Sequence, residues 1–402
     1  MYNIKHLTMK QIVFVNLIVL FSISLLRAQE PEVVNSIAKE YKPHSFFVNQ
    51  AELWWKEIEK DNKNEKAWYY YYKANRYARM TFHNCKTPDC LKYDNWLEES
   101  KYFKEDTEIK ELIFKAIPNT YTYYIIIKEG YPNNRERFEA LQKAYEIDPE
   151  NPDTYDEMVV YYETNNLPEK REEFNRKWYK SNDVSPGFLN YNYNVMMSMA
   201  NGSAILTFGD NDTFPIWMLQ DALDIRKDIT VLNVHLLSIP EYRHRLFSEL
   251  QIPDLNTEYP EGSTDQSQKE IIEHIIKNKP ADLSLYISTP AWRQLQDYDT
   301  NLYLVGLVLQ YSEENFDNIA LLKNNFENKY ALDYIKNSFS YDISRTLVER
   351  TNVNYIPGII KLYEHYKLSG ENEKAEKIKQ MGLMIAKKGG EEWGKKAAEI
   401  FK

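Results

Sequence analysis

The sequence predicts a small, mostly parallel α/β layer embedded in helical hairpins, and three observations support this fold class. Residues 204–208 and 229–237 are short apolar runs rich in β-branched or large residues, while residues 214–223 repeat their apolar positions at helical spacing. This strand–helix–strand order is typical of a βαβ unit with parallel strands. Further strands are expected at 283–288 and 302–310, and the segments on either side of the layer show helical periodicity.

The N-terminal segment has the layout of a secretory signal peptide. Lys5 and Lys10 precede an apolar run at 12–26, and a small residue follows at the expected cleavage position. The apolar run is short for a membrane-spanning helix. We therefore expect cleavage after residues 1–28 and export to the periplasm or outer cell envelope, with no membrane span afterwards. An uncleaved anchor is the alternative, and Met9 is an alternative start.

After the signal peptide we expect three regions. These are a helical domain at 29–187, an α/β domain at 188–312 and C-terminal helical hairpins at 313–402. The signal peptide contains three basic residues and no acidic residue, so its removal changes the formal charge from -10 to about -13. A chain this acidic repels nucleic acid and anionic membrane surfaces, so neither is expected as a partner.

The two cysteines of the chain, Cys85 and Cys90, lie in the segment HNCKTPDC. In an exported protein, a short loop that contains proline and is bracketed by two cysteines predicts a disulfide. A zinc site that also uses His83 is the alternative, but the segment offers no convincing fourth ligand.

Residues 119–181 resemble tetratricopeptide repeats. Two helical pairs are expected, 119–129 with 135–147 and 152–165 with 168–181, at a period of about 34 residues. Repeats of this kind leave a concave surface that commonly holds peptides, so we expect a protein or peptide partner there. Most of the 32 tyrosines are expected to fill the seams between helices. A glycan stacked on some of these tyrosines is the second candidate ligand.

Polar residues concentrate where the first predicted strand ends, in the sequence GDNDT at 209–213. Ligands of open parallel sheets bind beyond the carboxyl ends of the strands. We therefore name Asp210, Asn211, Asp212 and Thr213 as candidate ligand-binding residues.

A second candidate segment follows the strand predicted at 283–288. It contains Trp292 and Arg293, with Asp297 and Asp299 close behind. Because the two strands are expected to be parallel, their carboxyl ends should meet at one edge of the sheet. Trp292 and Arg293 are therefore also candidate ligand-binding residues, and a polar pocket that pairs Asp210 with Arg293 is the sharpest hypothesis.

The GDNDT turn has a structural and a chemical interpretation. Gly209 suits the positive φ of a tight turn, the acidic and amide side chains suit helix caps, and Pro215 suits a first helical turn. In the chemical interpretation, Asp210 and Asp212 hold a divalent cation, which would make the protein a glycan-active enzyme or a metal-binding protein. His235, in an apolar strand, is interpreted as a hydrogen-bonded core residue.

Common catalytic signatures are missing from the sequence. It contains no Walker-type glycine loop, no H-E-x-x-H motif and no G-x-S-x-G nucleophile elbow. We therefore predict a noncatalytic binding or scaffold protein, without a catalytic residue, cofactor or resident metal.

The segment GDNDTFPIWMLQ at 209–220 resembles a family. It is similar to the sequence GDNDTFPLWYLQ in the soluble C-terminal part of large multi-pass membrane proteins described as protein O-mannosyltransferase-like, and Arg226, Asp228 and Asn233 continue the match. The resemblance covers about half of the mature chain. It implies the accessory soluble module of that family, linked to glycoprotein or glycan handling. It does not imply glycosyltransferase activity, because this chain shows no membrane-embedded half.

Overall fold

A computed structural model describes residues 30–82, 100–130, 134–337 and 342–401 of the chain. The described residues form two compact units. The first comprises the chain up to Val34 together with Pro43–Pro118, and the second comprises Asn35–Lys42 and the chain from Asn119 onward. The predicted signal peptide and both cysteines of the predicted disulfide lie outside the described residues, and the three-region division stays a prediction.

The first unit is helical, as expected for its aromatic N-terminal sequence. In the described part of this unit, the helices are α1 (His44–Lys60), α2 (Glu65–Phe82) and α3 (Asp106–Ala116). The helix α1 packs on α2 through aromatic rings, with ring centroids 5.0 Å apart for Trp54 and Tyr70. The Asn64 side chain accepts a hydrogen bond from the Ala67 N–H at 3.1 Å, which caps α2. The four consecutive tyrosines at 69–72 lie in α2 and are helical, in agreement with the helical domain predicted at 29–187.

The second unit begins with helices that surround the sheet. They are α4 (Tyr121–Ile127), α5 (Asn134–Ile147), α6 (Tyr155–Thr164), α7 (Pro168–Ser181) and α8 (Pro186–Met197). The first four confirm the two predicted helical pairs, while their classification as tetratricopeptide repeats stays a prediction. Aromatic residues fill the seam between α6 and α7, where Tyr155, Tyr162 and Phe174 are all buried. The Tyr155 hydroxyl donates to the Pro149 carbonyl at 2.8 Å.

Asp156, in the first turn of α6, gives the stability of this unit a pH dependence. Burial raises the pKa of Asp156 to about 7, and the neighbouring Glu157 adds to the shift. A carboxyl whose pKa is raised by folding stabilises the fold below its unfolded pKa, and this contribution is lost as the pH rises through the folded pKa. The affected window therefore extends from the ordinary value of 3.8 to about 7.

We expect Asp156→Asn to raise the free energy of unfolding at pH 8 by on the order of 1 kcal/mol, because the amide cannot ionise. The Asp156 carboxylate accepts a hydrogen bond from the Glu157 N–H, and the amide oxygen of asparagine can accept it equally. Urea unfolding of the variant and the wild type at pH 5 and pH 8 measures the effect. A gain at pH 5 as large as the gain at pH 8 would contradict the assignment.

The sheet has five strands in the order β2–β1–β3–β5–β4. The strands are β1 (Ala204–Thr207), β2 (Thr230–Asn233), β3 (Leu285–Ser288), β4 (Leu302–Leu304) and β5 (Val308–Tyr311). The central strand β1 is parallel to β2 and β3, whereas β5 is antiparallel to β3 and β4. This arrangement confirms the predicted class, a small mostly parallel sheet within a helical protein.

Successive residues of a strand point to opposite faces of the sheet, and both faces of β1 carry buried apolar side chains. Helices therefore cover both faces. Ile205 packs in the core on the side of α9 (Asp210–Leu223). Ala204 and Leu206 pack on the opposite side with α10 (Pro240–Glu249) and α11 (Asp265–Asn278). The connection from β1 to β2 therefore uses one face and the connection from β2 to β3 uses the other. The point at which these connections diverge lies at the carboxyl ends of β1 and β3.

Two strand predictions need correction. The predicted strand at 302–310 is a tight hairpin, β4 and β5, because the Leu307 N–H turns away to donate to the Tyr330 hydroxyl at 3.1 Å. A Cβ atom at Gly306 would overlap that hydroxyl, so only glycine fits there. The strand predicted at 229–237 ends early because the Asn233 side chain accepts hydrogen bonds from the N–H groups of His235 and Leu236 in a turn.

The C-terminal part of the second unit is again helical. It contains α12 (Asn318–Asn324), α13 (Asp333–Lys336), α14 (Arg345–Thr351), α15 (Ile356–Leu368), α16 (Asn372–Gly389) and α17 (Glu391–Ile400). The helices α15 and α16 form the helical hairpin that the sequence predicts, with a turn at Gly370. Among the described residues, no helix is long and apolar enough to cross a membrane.

Candidate functional site

The GDNDT turn and the segment after β3 meet at the carboxyl edge of the sheet, as the parallel pairing predicts. In the register of the two strands, Leu206 lies beside Ile287. The hydroxyl of Ser288, the last residue of β3, donates to the Asp212 carboxylate at 2.6 Å. The first candidate site of the sequence therefore lies at the divergence point of the two crossover connections.

Asp212 is buried and holds this turn together. Its carboxylate also accepts hydrogen bonds from the N–H groups of Phe208, at 3.0 Å, and Gly209, at 2.7 Å. Burial raises the pKa of Asp212 above its ordinary value, and these donors together with the Ser288 hydroxyl reduce the shift without reversing it, because they favour the ionised form. Three donors on one buried carboxylate are the arrangement of a structural cap.

Gly209 does not adopt the left-handed conformation that the sequence suggested. Its φ is -129° and its ψ is -173°, which is extended backbone. The extended conformation directs the Gly209 N–H toward Asp212, and the helix begins directly afterwards at Asp210 rather than at Phe214. The prediction of a positive φ is therefore wrong.

Because α9 begins at Asp210, Pro215 lies in its second turn rather than its first, as the sequence had suggested. Proline has no N–H, so the Asn211 carbonyl loses its usual helical donor. The side-chain amide of Asn192, in α8, donates to that carbonyl at 2.8 Å. The proline is thus accommodated by a tertiary contact.

Thr213 is also buried, and its hydroxyl joins the two parallel strands of the βαβ unit. It donates to the Thr207 hydroxyl at 2.8 Å and accepts from the Asn233 side-chain amide at 3.0 Å. Both neighbours are the last residues of their strands, β1 and β2. Thr213 therefore connects the carboxyl ends of β1 and β2 and fixes the distance between them.

Asp210 and Asn211 are the two exposed side chains of the motif. The surrounding protein partly desolvates the Asp210 carboxyl and raises its pKa, and the charge of His235 opposes this shift. His235 lies in the turn after β2 rather than in a strand, and its ring nitrogen Nδ1 is 2.9 Å from the Ser263 hydroxyl. The Asn211 amide donates to the Ala38 carbonyl at 3.3 Å. These two residues are the part of the motif that a ligand can reach.

In the segment after β3, three of the described polar side chains bond within the protein. The indole N–H of the exposed Trp292 donates to Asp299 at 2.9 Å. Asp297 pairs with Lys269 at 2.8 Å. The Arg293 side chain lies outside the described part of the structure, so the proposed pairing with Asp210 stays a prediction. Across the described residues, no three His, Cys, Asp or Glu side chains are arranged to hold a metal ion.

Two residues that continue the family resemblance, Arg226 and Asp228, lie before β2 at the opposite edge of the sheet and also bond within the protein. The Arg226 guanidinium pairs with Asp228 at 2.9 Å and donates to the carbonyl groups of Met196 and Ala200, both at 2.7 Å. The hydrogen bonds of Arg226 lower the pKa of Asp228 to about 2. The Arg226–Asp228 pair therefore ties the end of α8 to the start of β2.

Sequence reasoning missed a charged cavity of about 290 Å³ beside the edge strand β2. Arg171 forms two hydrogen bonds with Asp221, both 2.9 Å long, and one with Glu163 at 2.5 Å. Arg245 also bonds to Glu163, at 2.8 Å. These side chains come from α6, α7, α9 and α10, so no local motif in the sequence could have revealed them.

One comparison with known proteins finds a family match over the part of the chain that contains the motif. A comparison with curated proteins found no significant match. Residues 189–361, which include the sheet and the GDNDT turn, match the family model described as TMEM260-associated domain 2. This segment of the chain is therefore similar to a TMEM260-associated domain, a family associated with O-mannosyltransferase-like proteins.

Proposed function

We propose that this chain is an exported, noncatalytic binding or scaffold protein of the cell envelope that takes part in glycoprotein or glycan handling. Its partner is a protein or peptide held on the helical surface of the second unit. The similarity of residues 189–361 to a TMEM260-associated domain supports the link to O-mannosyltransferase-like systems. In this proposal the chain supplies the accessory soluble module, and the sugar transfer itself is performed by another protein.

One observation carries the noncatalytic part of the proposal, namely how the motif uses its polar atoms. The Asp212 carboxylate and the Thr213 hydroxyl are buried and hydrogen-bonded within the fold. Arg226, Asp228 and Asn233, which extend the family resemblance, also bond to neighbouring strands and helix ends. A structural role therefore accounts for these residues without a substrate.

Thermal unfolding with added ligands tests this proposal. The probes are Mg²⁺, Mn²⁺, Ca²⁺ and a panel of sugars and envelope glycans. A ligand at 100 times its Kd adds about 2.7 kcal/mol to the free energy of unfolding. We expect no stabilisation that depends on Asp210, and Asp210→Ala provides the matched control.

The alternative is a glycan-active or divalent-metal-binding protein that uses the GDNDT turn. The exposure of Asp210 at the carboxyl edge, with His235 beside it, favours this alternative. A metal- or sugar-dependent stabilisation that disappears in Asp210→Ala would establish it and overturn the noncatalytic proposal.

Export is tested separately by N-terminal sequencing of protein purified from its native cells. Cleavage of the predicted signal peptide would leave a mature chain that begins near Gln29. A membrane-bound chain that begins at Met1 or Met9 would instead establish the uncleaved anchor.

A further inference from the structure

The Asn35–Lys42 segment is an irregular piece of chain that belongs to the second unit. The residues on both sides of it, up to Val34 and from Pro43, belong to the first unit. The segment contains no helix or strand, only a turn at 37–39. It contacts three separate parts of the second unit.

The first contact is an ammonium site formed by carboxylates of the helical pairs. The Lys39 Nζ lies 2.6 Å from Asp183 and 3.5 Å from Asp153. Burial disfavours the charge of Lys39, but the attraction of Asp183 and Asp153 outweighs it, so the pKa of Lys39 is raised. The second oxygen of Asp183 accepts a hydrogen bond from the Trp178 indole at 2.9 Å, which fixes the orientation of the carboxylate. The site is therefore preorganised for a lysine side chain.

The second and third contacts recognise a backbone carbonyl and an aromatic ring. The Asn211 amide, from the exposed part of the GDNDT turn, donates to the Ala38 carbonyl at 3.3 Å. The Arg350 guanidinium, from α14, lies over the Tyr41 ring at 3.8 Å from its centroid. Such a cation–π contact contributes about 0.5–1 kcal/mol at an exposed position. Tyr41 itself is 48% exposed, so this contact can open without disturbing the core.

We propose that this surface is a binding site for a short peptide of a partner protein that forms a turn at its lysine, and that the Asn35–Lys42 segment occupies it in cis. The three contacts define the chemistry of the partner peptide: a lysine followed two residues later by an aromatic residue, with a free carbonyl before the lysine. This inference rests on the proposed role of the helical surface as a binding surface. It assigns the exposed Asn211 to peptide recognition.

Because a segment of the same chain occupies the site, that segment regulates the binding of a partner peptide. A tethered segment has an effective concentration on the order of 1 mM, so a partner peptide must compete with it. A partner that binds only as tightly as the segment itself is excluded, whereas one with a better sequence displaces it. Displacement also releases Lys39 and Tyr41 into solvent.

The test uses the full chain and a fluorescently labelled peptide of residues 35–42. The double variant Lys39→Ala/Tyr41→Ala removes both side-chain anchors of the resident segment. We expect the peptide to bind this variant at least tenfold more tightly than it binds the wild type, as measured by fluorescence anisotropy. Adding Asp183→Asn should abolish that binding, although the amide oxygen can still accept from Trp178. A peptide with alanine in place of its lysine should not bind.

Glu40→Gln is the matched control, because the Glu40 carboxylate bonds to Asn35 and Lys42 within the same segment. It should bind the peptide as weakly as the wild type does. If the double variant fails to fold, Tyr41→Ala alone takes its place, and it too should bind the peptide more tightly than the wild type.

Equal affinity of the peptide for the wild type and for a folded anchor variant would overturn the inference and make the segment a purely structural strap. Failure of the proposed function is distinguishable from this result. A metal or sugar site that depends on Asp210 overturns the proposed function and leaves the peptide titration unchanged.

Discussion

Replacing Arg171 by alanine is expected to lower the free energy of unfolding by about 4 kcal/mol. Removing one member of a buried ion pair leaves the charge of its partner buried without a counter-charge. Asp221 and Glu163 are 3% and 6% exposed, and Arg171 bonds to both. In the variant, Asn175 still donates to Asp221 and Arg245 still pairs with Glu163. Most of the loss in stability therefore comes from the buried negative charge of Asp221, which has no other guanidinium partner among the described residues.

Urea unfolding at neutral pH measures this effect, with Arg176→Ala as the control. Arg176 lies in the same helix and pairs with Glu172 at 2.8 Å, but both side chains are well exposed. Such a surface pair contributes at most about 0.5 kcal/mol. A loss below about 1 kcal/mol in Arg171→Ala would show that the buried carboxylates find other partners or take up protons. In that case the cluster would not stabilise the fold.

Asp212→Ala is expected to cost about 3 kcal/mol, because it removes a helix cap and leaves buried donors without an acceptor. These donors are the N–H groups of Phe208 and Gly209 and the Ser288 hydroxyl. Losing the bond to Ser288 also removes a link between the start of α9 and the end of β3. Asp210→Ala, two residues earlier in the same motif, removes an exposed carboxylate and should change the free energy of unfolding by less than about 0.5 kcal/mol.

Urea unfolding of the two alanine variants separates a structural turn from a functional one. A large loss for Asp212→Ala together with a small change for Asp210→Ala supports the structural role of the buried carboxylate. If both variants instead kept wild-type stability, Asp212 would not be needed for the turn. The presence of both Asp210 and Asp212 in the turn would then be best explained by ligand binding.

Local sequence patterns were sufficient for much of the fold. Periodicity and turn residues located α1 and α2 and the helical pairs α4–α7, and the strand–helix–strand order around GDNDT predicted the parallel pairing of β1 and β2. These features depend on interactions within one helix or between neighbouring elements, so a short window of sequence contains their physical cause. The acidic motif at the carboxyl edge was found for the same reason.

The tertiary structure decided how individual residues are used. The hairpin of β4 and β5 forms where the Tyr330 hydroxyl approaches Gly306, and Pro215 is accommodated by Asn192 from another helix. Arg171 and Asp221 are 50 positions apart, and Lys39 and Asp183 are 144 apart. By itself, the sequence determined the class of the fold and the position of its polar turn. The buried ion cluster and the site occupied by the Asn35–Lys42 segment depend on contacts between distant residues, because charges are paired by proximity in space and not by spacing along the chain.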